Sequence, residues 1–361
     1  MSLSDKPFDI VVFGASGYTG RLVAEYLAAE YAGSDLKWAM AGRSLDKLTA
    51  VRAEMGISDA VELLAVDVDN PDSVTQMVDA CQVVITTVGP YQLYGDELVK
   101  QCAERGTDYV DLTGEPSWMH ETIAQCSSAA KASGARIVHS CGFDSIPFDL
   151  GVYRLQQHAI AKTGQPIAMV KGRVRAMNGT FSGGTIASMR ATMASAKANP
   201  AIIQVLTNPF ALTEGFTGPE QPTGMAPQYD EELQSWSAPF IMAPINTKNI
   251  HRSNFLLGHQ YGEDFRYDEM LLTGDGDQGK AAADYVAKDD SVAKSDLQPG
   301  EGPTKEEREN GNYDAIFAGE TRDGELMISS VQGDRDPGYG STSKMLAEAA
   351  MCLLVNPDLA S

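Results

Sequence analysis

Short apolar runs alternate with longer amphipathic segments through the first part of this chain. The runs have the length of buried strands, and the intervening segments place apolar residues at helical spacing. This alternation is typical of a parallel sheet covered by helices on both faces, because its strands are buried on both sides. Strands are predicted at residues 9–13, 37–41, 61–66, 83–88, 109–112 and 136–139. The sequence therefore predicts an α/β fold with an N-terminal, Rossmann-type, doubly wound parallel sheet.

The pattern changes after residue 167. Apolar residues alternate with Lys171, Arg173 and Arg175, which predicts a strand with one buried face. These cations are expected on the solvated face; the alternative is that they bind an anionic carrier. Later, Asp323-Gly324 separates two apolar runs and predicts a β-hairpin. A second, α+β domain built on a mixed or antiparallel sheet is expected.

The predicted domain boundaries follow from this change. The Rossmann-type domain is assigned to residues 1–147, and the substrate domain to residues 148–335. The segment 274–312 is rich in Gly, Asp and Lys and is expected to be a mobile loop or a solvated helix. A late apolar helix, 341–354, is predicted to return and pack on the first domain.

Composition limits the classes of partner. The chain has 361 residues and a formal net charge of -21, which opposes binding to nucleic acid through bulk electrostatics. The five cysteines form no C-x-x-C pair, so neither a metal site nor a disulfide framework is predicted, and a cytoplasmic location is expected. No apolar run reaches the roughly 18 residues of a spanning helix, so stable membrane insertion is not expected.

The first strand leads into three glycines, Gly14, Gly17 and Gly20, and then into a helix. In a dinucleotide site the first glycine permits the tight turn, the second admits the phosphate, and the third allows the helix to pack closely. A plain Gly-rich turn is the alternative, but the order of strand, turn and helix favours the cofactor site. The residues predicted to bind the cofactor here are Gly14, Ser16, Gly17, Tyr18, Thr19 and Gly20.

The residues at the end of the second predicted strand are expected to determine which dinucleotide binds. NAD-binding domains place a carboxylate there, whereas this chain has Arg43, followed by Ser44 and Lys47. A guanidinium and a hydroxyl suit a 2′-phosphate, so the predicted cofactor is NADP(H). In the alternative, Arg43 is a solvated charge and Ser44 only caps the next helix.

Further cofactor contacts are expected where the third and fourth strands end. Asp67 could meet the adenine amino group, or could be only a turn residue. Fourth-strand candidates are Thr87, Gly89 and Pro90, with Gly89 allowing close approach of the nicotinamide ribose. Tyr91 would then lie near the nicotinamide, or be an aromatic residue packed over a loop.

Two later glycine-containing loops could form walls of a substrate pocket. The loop 141–147 follows the sixth strand and contains Asp144. The turn 179–185 precedes a predicted helix and could line the site or merely connect elements. His251 is interpreted as structural, because no nucleophile or ligand pattern surrounds it.

Several motifs together resemble the saccharopine dehydrogenase-like oxidoreductases, in the branch that includes the trans-acting enoyl reductases. The matching segments are 14–20, 41–44, 89–91, 109–115, 142–147, 299–303 and 336–339. The resemblance implies an NADP-type Rossmann domain, an α/β domain with a mixed sheet, and reduction of a carbon–carbon double bond on a lipid or polyketide-like substrate, often carrier-bound. One departure is Tyr94, which stands where true saccharopine reductases have histidine, and it weakens the case for an amino-acid substrate.

The leading hypothesis is an NADPH-dependent reductase of an activated double bond, with Tyr91 as the first candidate for the proton donor and Tyr94 and Asp144 next. The expected substrate is a small-molecule or carrier-bound lipid-like compound. The alternatives are a saccharopine-type oxidoreductase acting on an imine or secondary amine, and a non-catalytic NADP-binding sensor or scaffold. A homodimer is left open.

Overall fold

The computed structural model describes residues 6–291, 294–298 and 300–358. Pro299, the first residue of the motif 299–303, lies outside the described residues. Two six-stranded sheets organise the chain.

The first sheet is parallel throughout and has the strand order β3-β2-β1-β4-β5-β6. This is the strand order of a doubly wound dinucleotide-binding domain, so the predicted fold class is confirmed. The order reverses between β1 and β4, which places a crevice beyond the carboxyl ends of these two strands. The strands are β1 (Phe8–Phe13), β2 (Trp38–Gly42), β3 (Glu62–Ala65), β4 (Cys81–Thr86), β5 (Asp108–Val110) and β6 (Ile137–Val138).

Helices cover both faces of this sheet, and local signals fix their ends. Asn70 caps α3 and is followed by Pro71 at the first helical position, whereas Gly106 and Gly134 end α5 and α6 in the left-handed conformation. These helices are α1 (Tyr18–Glu30), α2 (Leu45–Glu54), α3 (Pro71–Ala80), α4 (Tyr91–Tyr94), α5 (Asp96–Arg105) and α6 (Pro116–Ser133).

The second sheet is mixed and has the order β12-β11-β7-β10-β9-β8. Strands β7 and β10 are parallel, and the other neighbours are antiparallel. The last two strands form the predicted hairpin. The strands are β7 (Met169–Asn178), β8 (Gln228–Asp230), β9 (Ser235–Pro239), β10 (Arg266–Gly274), β11 (Asn312–Glu320) and β12 (Leu326–Gly333).

Helices α7 and α10 pack on one face of this sheet. The closest approach is at Gly151 on α7, where a Cβ would lie 2.0 Å from the ring of Phe317 on β11. The remaining elements are α7 (Ile146–Thr163), α8 (Gly183–Ala198), α9 (Pro200–Thr207), α10 (Ala243–Leu256), α11 (Gly276–Val286), α12 (Lys305–Asn310), a π-helical turn (Pro337–Ser341) and α13 (Thr342–Val355). Helices α11 and α12 occupy part of the segment predicted to be mobile or helical.

Helix α13 joins the core of the first sheet. Leu346 and Ala350 are buried in the same cluster as Ile10, Val23 and Leu27. The last apolar helix of the chain therefore covers one face of the first sheet beside α1.

The expectation that Arg173 lies on a solvated strand face is wrong. Its side chain is 1% exposed, and its guanidinium pairs with Asp268 at 3.1 Å and Asp230 at 3.3 Å. The pairing of β7 with β11 shifts register between Asp314 and Ala315, and Arg173 and its neighbour Val174 are both buried. The simple period of two therefore fails at this position.

Candidate active site

The turn after β1 brings backbone atoms together more closely than side chains would allow. Gly14 has a φ of +87°, which favours glycine, and a Cβ on Gly20 would lie 2.2 Å from the Gly14 carbonyl oxygen. Gly17 precedes α1 without any side-chain cap, and the first turn of α1 contains no acidic residue. The first amides of α1 are therefore open to an anion, so the turn fits a dinucleotide diphosphate.

The end of β4 supports this turn from the neighbouring strand. The Thr87 hydroxyl lies 3.3 Å from both the Phe13 and Gly14 carbonyl oxygens. A Cβ on Gly14 would also come within 2.7 Å of that hydroxyl oxygen. Thr87 thus holds the turn in place, and it lines the cavity described below.

The predicted nucleotide-selecting residues follow β2. Arg43 and Lys47 are exposed at this edge of the sheet. The Ser44 side-chain oxygen accepts a 3.3 Å hydrogen bond from the Lys47 amide and caps α2, so its alternative structural role is present. Asp67 likewise makes a turn bond, since its side chain accepts from the Asp69 amide at 3.2 Å.

The side chain of Tyr18 turns away from the crevice toward the second half of the chain. Its hydroxyl donates to the Pro303 carbonyl and accepts from Arg308 Nη1 at 3.1 Å. Its ring lies edge-on to Tyr339, with centroids 5.1 Å apart. Only the backbone of Tyr18 is therefore placed for the cofactor contact that the sequence predicts.

A cavity of about 1100 Å³ opens between the two sheets. Both glycine-containing loops that the sequence singled out form part of its wall. From the first domain it is lined by Thr19, Thr87, Gly89, Tyr91, Leu112, Gly114, Gly142, Phe143 and Asp144. The apolar side chains from the second domain include Met177, Phe181, Met189, Met193, Phe210, Met225, Phe240, Ile241, Met242 and Ile245.

The turn 179–185 is held by the late motif around Tyr339. The Tyr339 hydroxyl accepts from the Ser182 amide at 2.5 Å and lies 2.9 Å from the Thr185 hydroxyl oxygen. Ser182 in turn caps α8. These contacts fix α8 as one wall of the cavity, with Ser188 beside Gly89.

The geometry does not favour Tyr91 or Tyr94 as the proton donor. Tyr91 is buried, and its hydroxyl donates to the Thr86 carbonyl at 3.1 Å and accepts from the Leu112 amide at 3.4 Å. Both partners are backbone groups, so the phenol joins β4 to the loop after β5. Tyr94 is 44% exposed and does not line the cavity.

Asp144 lies on the cavity wall at the point where the first domain leads into α7. One of its carboxylate oxygens would be 3.5 Å from a Cβ on Gly114, so the glycine leaves room for it. Burial raises the pKa of Asp144 to about 6. Asp144 therefore places a titratable carboxyl group on the cavity wall.

The sequence reasoning missed several titratable residues of the wall, including Glu269 and Lys248. Glu269, on β10, is 1% exposed, and burial raises its pKa to about 8. Lys248, on α10, is 3% exposed, and burial lowers its pKa to about 8. Its amine donates to the Leu206 and Pro244 carbonyls at 2.7 and 2.8 Å, which ties the end of α9 to α10.

Comparisons with known proteins agree with the fold. The model of the saccharopine dehydrogenase NADP binding domain matches residues 10–138. "Putative trans-acting enoyl reductase Rv2449c" of Mycobacterium tuberculosis is 38% identical over 384 residues, covering 99% of this chain and 91% of that protein. The trans-acting enoyl reductase of Mycobacterium bovis is 33% identical over 386 residues, with the same two coverages of 99% and 91%.

A solved structure has a similar fold. Apo saccharopine dehydrogenase (L-Glu forming) from Saccharomyces cerevisiae matches with a TM-score of 0.50 at 11% identity, covering 98% of this chain and 92% of that one. At that identity the likeness concerns the fold alone.

The parallel sheet with its glycine turn, the matching NADP-binding domain model and the enoyl reductase relatives define an NADP(H)-dependent oxidoreductase. The chain belongs to the saccharopine dehydrogenase-like oxidoreductases, in the branch of the trans-acting enoyl reductases. Within the residues that the structure describes, no helix has the length and apolar character needed to cross a bilayer.

Proposed function

We propose that this protein reduces an activated carbon–carbon double bond of a lipid or polyketide-like acyl substrate, with NADPH as the reductant. The names of its relatives support an enoyl substrate. The observation that carries the proposal is the composition of the cavity wall, to which the second-domain side contributes ten methionine, phenylalanine and isoleucine side chains.

The size of the cavity supports a large substrate. Ligand pockets are commonly about 300–1,000 Å³, and this one is about 1100 Å³, so it can hold both a nicotinamide and an acyl chain. Its methionines have flexible, polarizable side chains that fit irregular apolar ligands. An amino-acid substrate would instead call for paired cations near its carboxylate, whereas among the described lining residues the only Lys or Arg is Lys248.

Residues of the first domain would hold the cofactor. The α1 amides after Gly17 bind the diphosphate, Arg43 binds the 2′-phosphate, and Gly89 leaves space for the nicotinamide ribose. NADPH, when bound, supplies the hydride. Water would be kept from the reacting carbons by α8, which covers the Gly89 loop and contributes Met189 and Met193 to the cavity wall.

The experiment that tests this proposal is NADPH oxidation with a series of trans-2-enoyl thioesters of increasing chain length. We expect turnover that improves with chain length, because each added methylene is transferred from water to an apolar wall. A panel of imines formed from amino acids and aldehydes is the comparison. Turnover of the imines without turnover of any enoyl thioester would contradict the proposal.

A matched pair of variants locates the acyl chain. Met189→Trp enlarges a side chain on the α8 wall, so it is expected to raise the KM for long enoyl thioesters and leave short ones unchanged. Ile328→Trp makes a comparable change on β12 at a residue that is 52% exposed and does not line the cavity, and it should leave the series unchanged. An equal effect of both variants would argue against acyl binding under α8.

A further inference from the structure

Strand β10 places a carboxyl group at the cavity wall, on the face of the second sheet that α7 and α10 cover. Glu269 and Tyr267 are two residues apart, so both side chains are on the same face of the strand. Tyr267 belongs to the core that α7 and α10 form on that face. Glu269 is 1% exposed and lines the cavity.

Each oxygen of this carboxyl group is held by a neutral donor. The Tyr267 hydroxyl donates to Oε2 at 2.6 Å, and Asn246 Nδ2 donates to Oε1 at 2.6 Å. Among the described residues Glu269 has no ion-pair partner. Because a carboxyl oxygen has two lone pairs, the group can carry a proton and keep both bonds. The two donors fix its orientation in either state.

Helix α10 connects this carboxyl group with Asp144. Asn246 binds Glu269, and Asn249, one turn further along, donates from Nδ2 to the Ser145 side-chain oxygen at 2.7 Å. Ser145 directly follows Asp144. One face of α10 therefore positions the segments that carry both carboxyl groups at the cavity wall.

Burial and the charges of two neighbouring carboxylates favour the neutral form of Glu269. The titratable groups that act on Glu269 are Asp144 before α7 and Asp268 and Tyr267 on β10, while Arg173 on β7 pairs with Asp268 and Asp230. Burial is the largest cause that raises the Glu269 pKa, while the bonds from Tyr267 and Asn246 lower it and the charges of Asp144 and Asp268 raise it further. With a pKa of about 8, Glu269 holds its proton at neutral pH, whereas Asp144, with a pKa of about 6, is largely ionised.

We propose that Glu269 is the catalytic acid that protonates the α-carbon of the substrate, with Tyr267, Asn246 and Asp144 as positioning residues. The proposal rests on the proposed enoyl reduction. A hydride adds to the β-carbon and the π-electron pair moves to the α-carbon. The Glu269 O–H bond then breaks as a C–H bond forms at the α-carbon, which leaves a carboxylate. Water reprotonates Glu269 after the product leaves.

The protonation state can be tested without cofactor or substrate. In protein labelled with carbon-13 at the glutamate side-chain carboxyls, one resonance should titrate with a midpoint of about pH 8 and be missing from Glu269→Gln. Asp144→Asn, which removes a negative charge, should move this midpoint to lower pH. Tyr267→Phe, which removes a donor to the carboxylate, should move it to higher pH. A Glu269 resonance that titrates at the ordinary glutamate pKa would overturn the proposal.

Kinetics then test the chemical role. Glu269→Gln is expected to lower kcat on the enoyl thioester by roughly 10²–10⁴-fold, the usual contribution of general acid catalysis, with NADPH affinity unchanged. Activity of the wild-type enzyme should fall above about pH 8. Asp144→Asn should move this alkaline limb of the pH–activity profile to lower pH, and Tyr267→Phe should move it to higher pH. If Glu269 had only a structural role, the two variants would not shift the alkaline limb of the pH–activity profile in opposite directions.

The outcomes separate the two proposals. A wild-type enzyme that reduces no enoyl thioester would contradict the proposed function, while the carboxyl titration still reports on Glu269. If the wild-type enzyme is active and Glu269→Gln keeps its full kcat, the acid assignment is wrong and the proposed function stands. Should Glu269→Gln fail to fold, unshifted pH limbs in folded Tyr267→Phe and Asp144→Asn would overturn the assignment.

Discussion

The hydroxyl of Tyr267 lies directly over Gly172 on the neighbouring strand. A Cβ at position 172 would come within 2.2 Å of that hydroxyl oxygen. Tyr267 is fully buried, and the absence of a side chain on Gly172 leaves room for its 2.6 Å bond to Glu269. A glycine in the middle of a strand thus has a specific steric task.

Gly172→Ala should therefore lower the free energy of unfolding and also shift the pKa of Glu269. Overpacking of a buried site commonly costs about 1–3 kcal/mol, and we expect a loss in this range in denaturant unfolding. The displaced Tyr267 hydroxyl should also shift the Glu269 titration to higher pH, as in Tyr267→Phe. Gly184→Ala is the control, since its new Cβ would have no neighbour closer than 3.5 Å. Unchanged stability in Gly172→Ala would mean that Tyr267 can reposition.

Glu269 also makes stability depend on pH. Between its ordinary pKa of 4.5 and its folded pKa of about 8, the folded state holds a proton that the unfolded state has released. The free energy of unfolding should therefore fall as pH rises through this window. Glu269→Gln should remove that part of the slope, and urea unfolding at several pH values measures it.

Asp149→Asn provides the comparison for the pH experiment. Burial raises the pKa of Asp149 to about 6, so its contribution to the slope should be confined to lower pH, between about 3.8 and 6. If the free energy of unfolding depends on pH equally in Glu269→Gln and in the wild-type protein from pH 6 to 8, the pKa of the Glu269 carboxyl is not raised as described.

Arg43→Ala should weaken NADPH binding selectively. A hydrogen bond to a charged group contributes roughly 1.5–3 kcal/mol, and only NADPH has the 2′-phosphate to receive it. We expect a loss of that size for NADPH in calorimetry and little change for NADH. Ser44→Ala separates the cap of α2 from ligand binding, because loss of a cap costs about 1 kcal/mol of stability. Equal weakening of both nucleotides by Arg43→Ala would mean that the guanidinium does not select the phosphate.

Tyr91→Phe should preserve catalysis and reduce stability. Its hydroxyl bonds two backbone groups, and a typical internal hydrogen bond is worth about 0.5–1.5 kcal/mol. We therefore expect a modest loss of unfolding free energy and a kcat close to that of the wild-type enzyme. A large fall in kcat with unchanged stability would restore Tyr91 as the proton donor.

The strands and helices of the first sheet could be predicted from the sequence because the signals that specify them are local. The strand ending at Phe13, the glycines around Gly17 and the cap at Asn70 each lie within a few residues of the structure that they specify. The crevice then follows from the order of parallel strands. Local pattern and global fold agree throughout this part of the chain.

The part of the cavity wall that carries Glu269 could not be predicted in the same way. Burial is the main cause of the raised pKa of Glu269, and the charge of Asp144, far away in sequence, raises it further. Asn246, on another element, orients the carboxyl group, and only the folded chain brings these groups together. The signal available in the sequence was Tyr267 two residues before Glu269 beside an apolar run, which is compatible with a solvated strand as well. Arg173 was mispredicted for a related reason, since its partners Asp230 and Asp268 come from other strands.

Transfer of an isotope from the cofactor is the most direct test of whether the protein reduces an enoyl double bond with NADPH. The enzyme is supplied with NADPH that carries deuterium at the transferred position, together with a long-chain enoyl thioester in ordinary water, and the product is analysed by mass spectrometry and proton NMR. We expect one deuterium, on the β-carbon, and a proton from solvent on the α-carbon. A product without cofactor-derived deuterium, or deuterium transferred only to imines, would contradict this expectation.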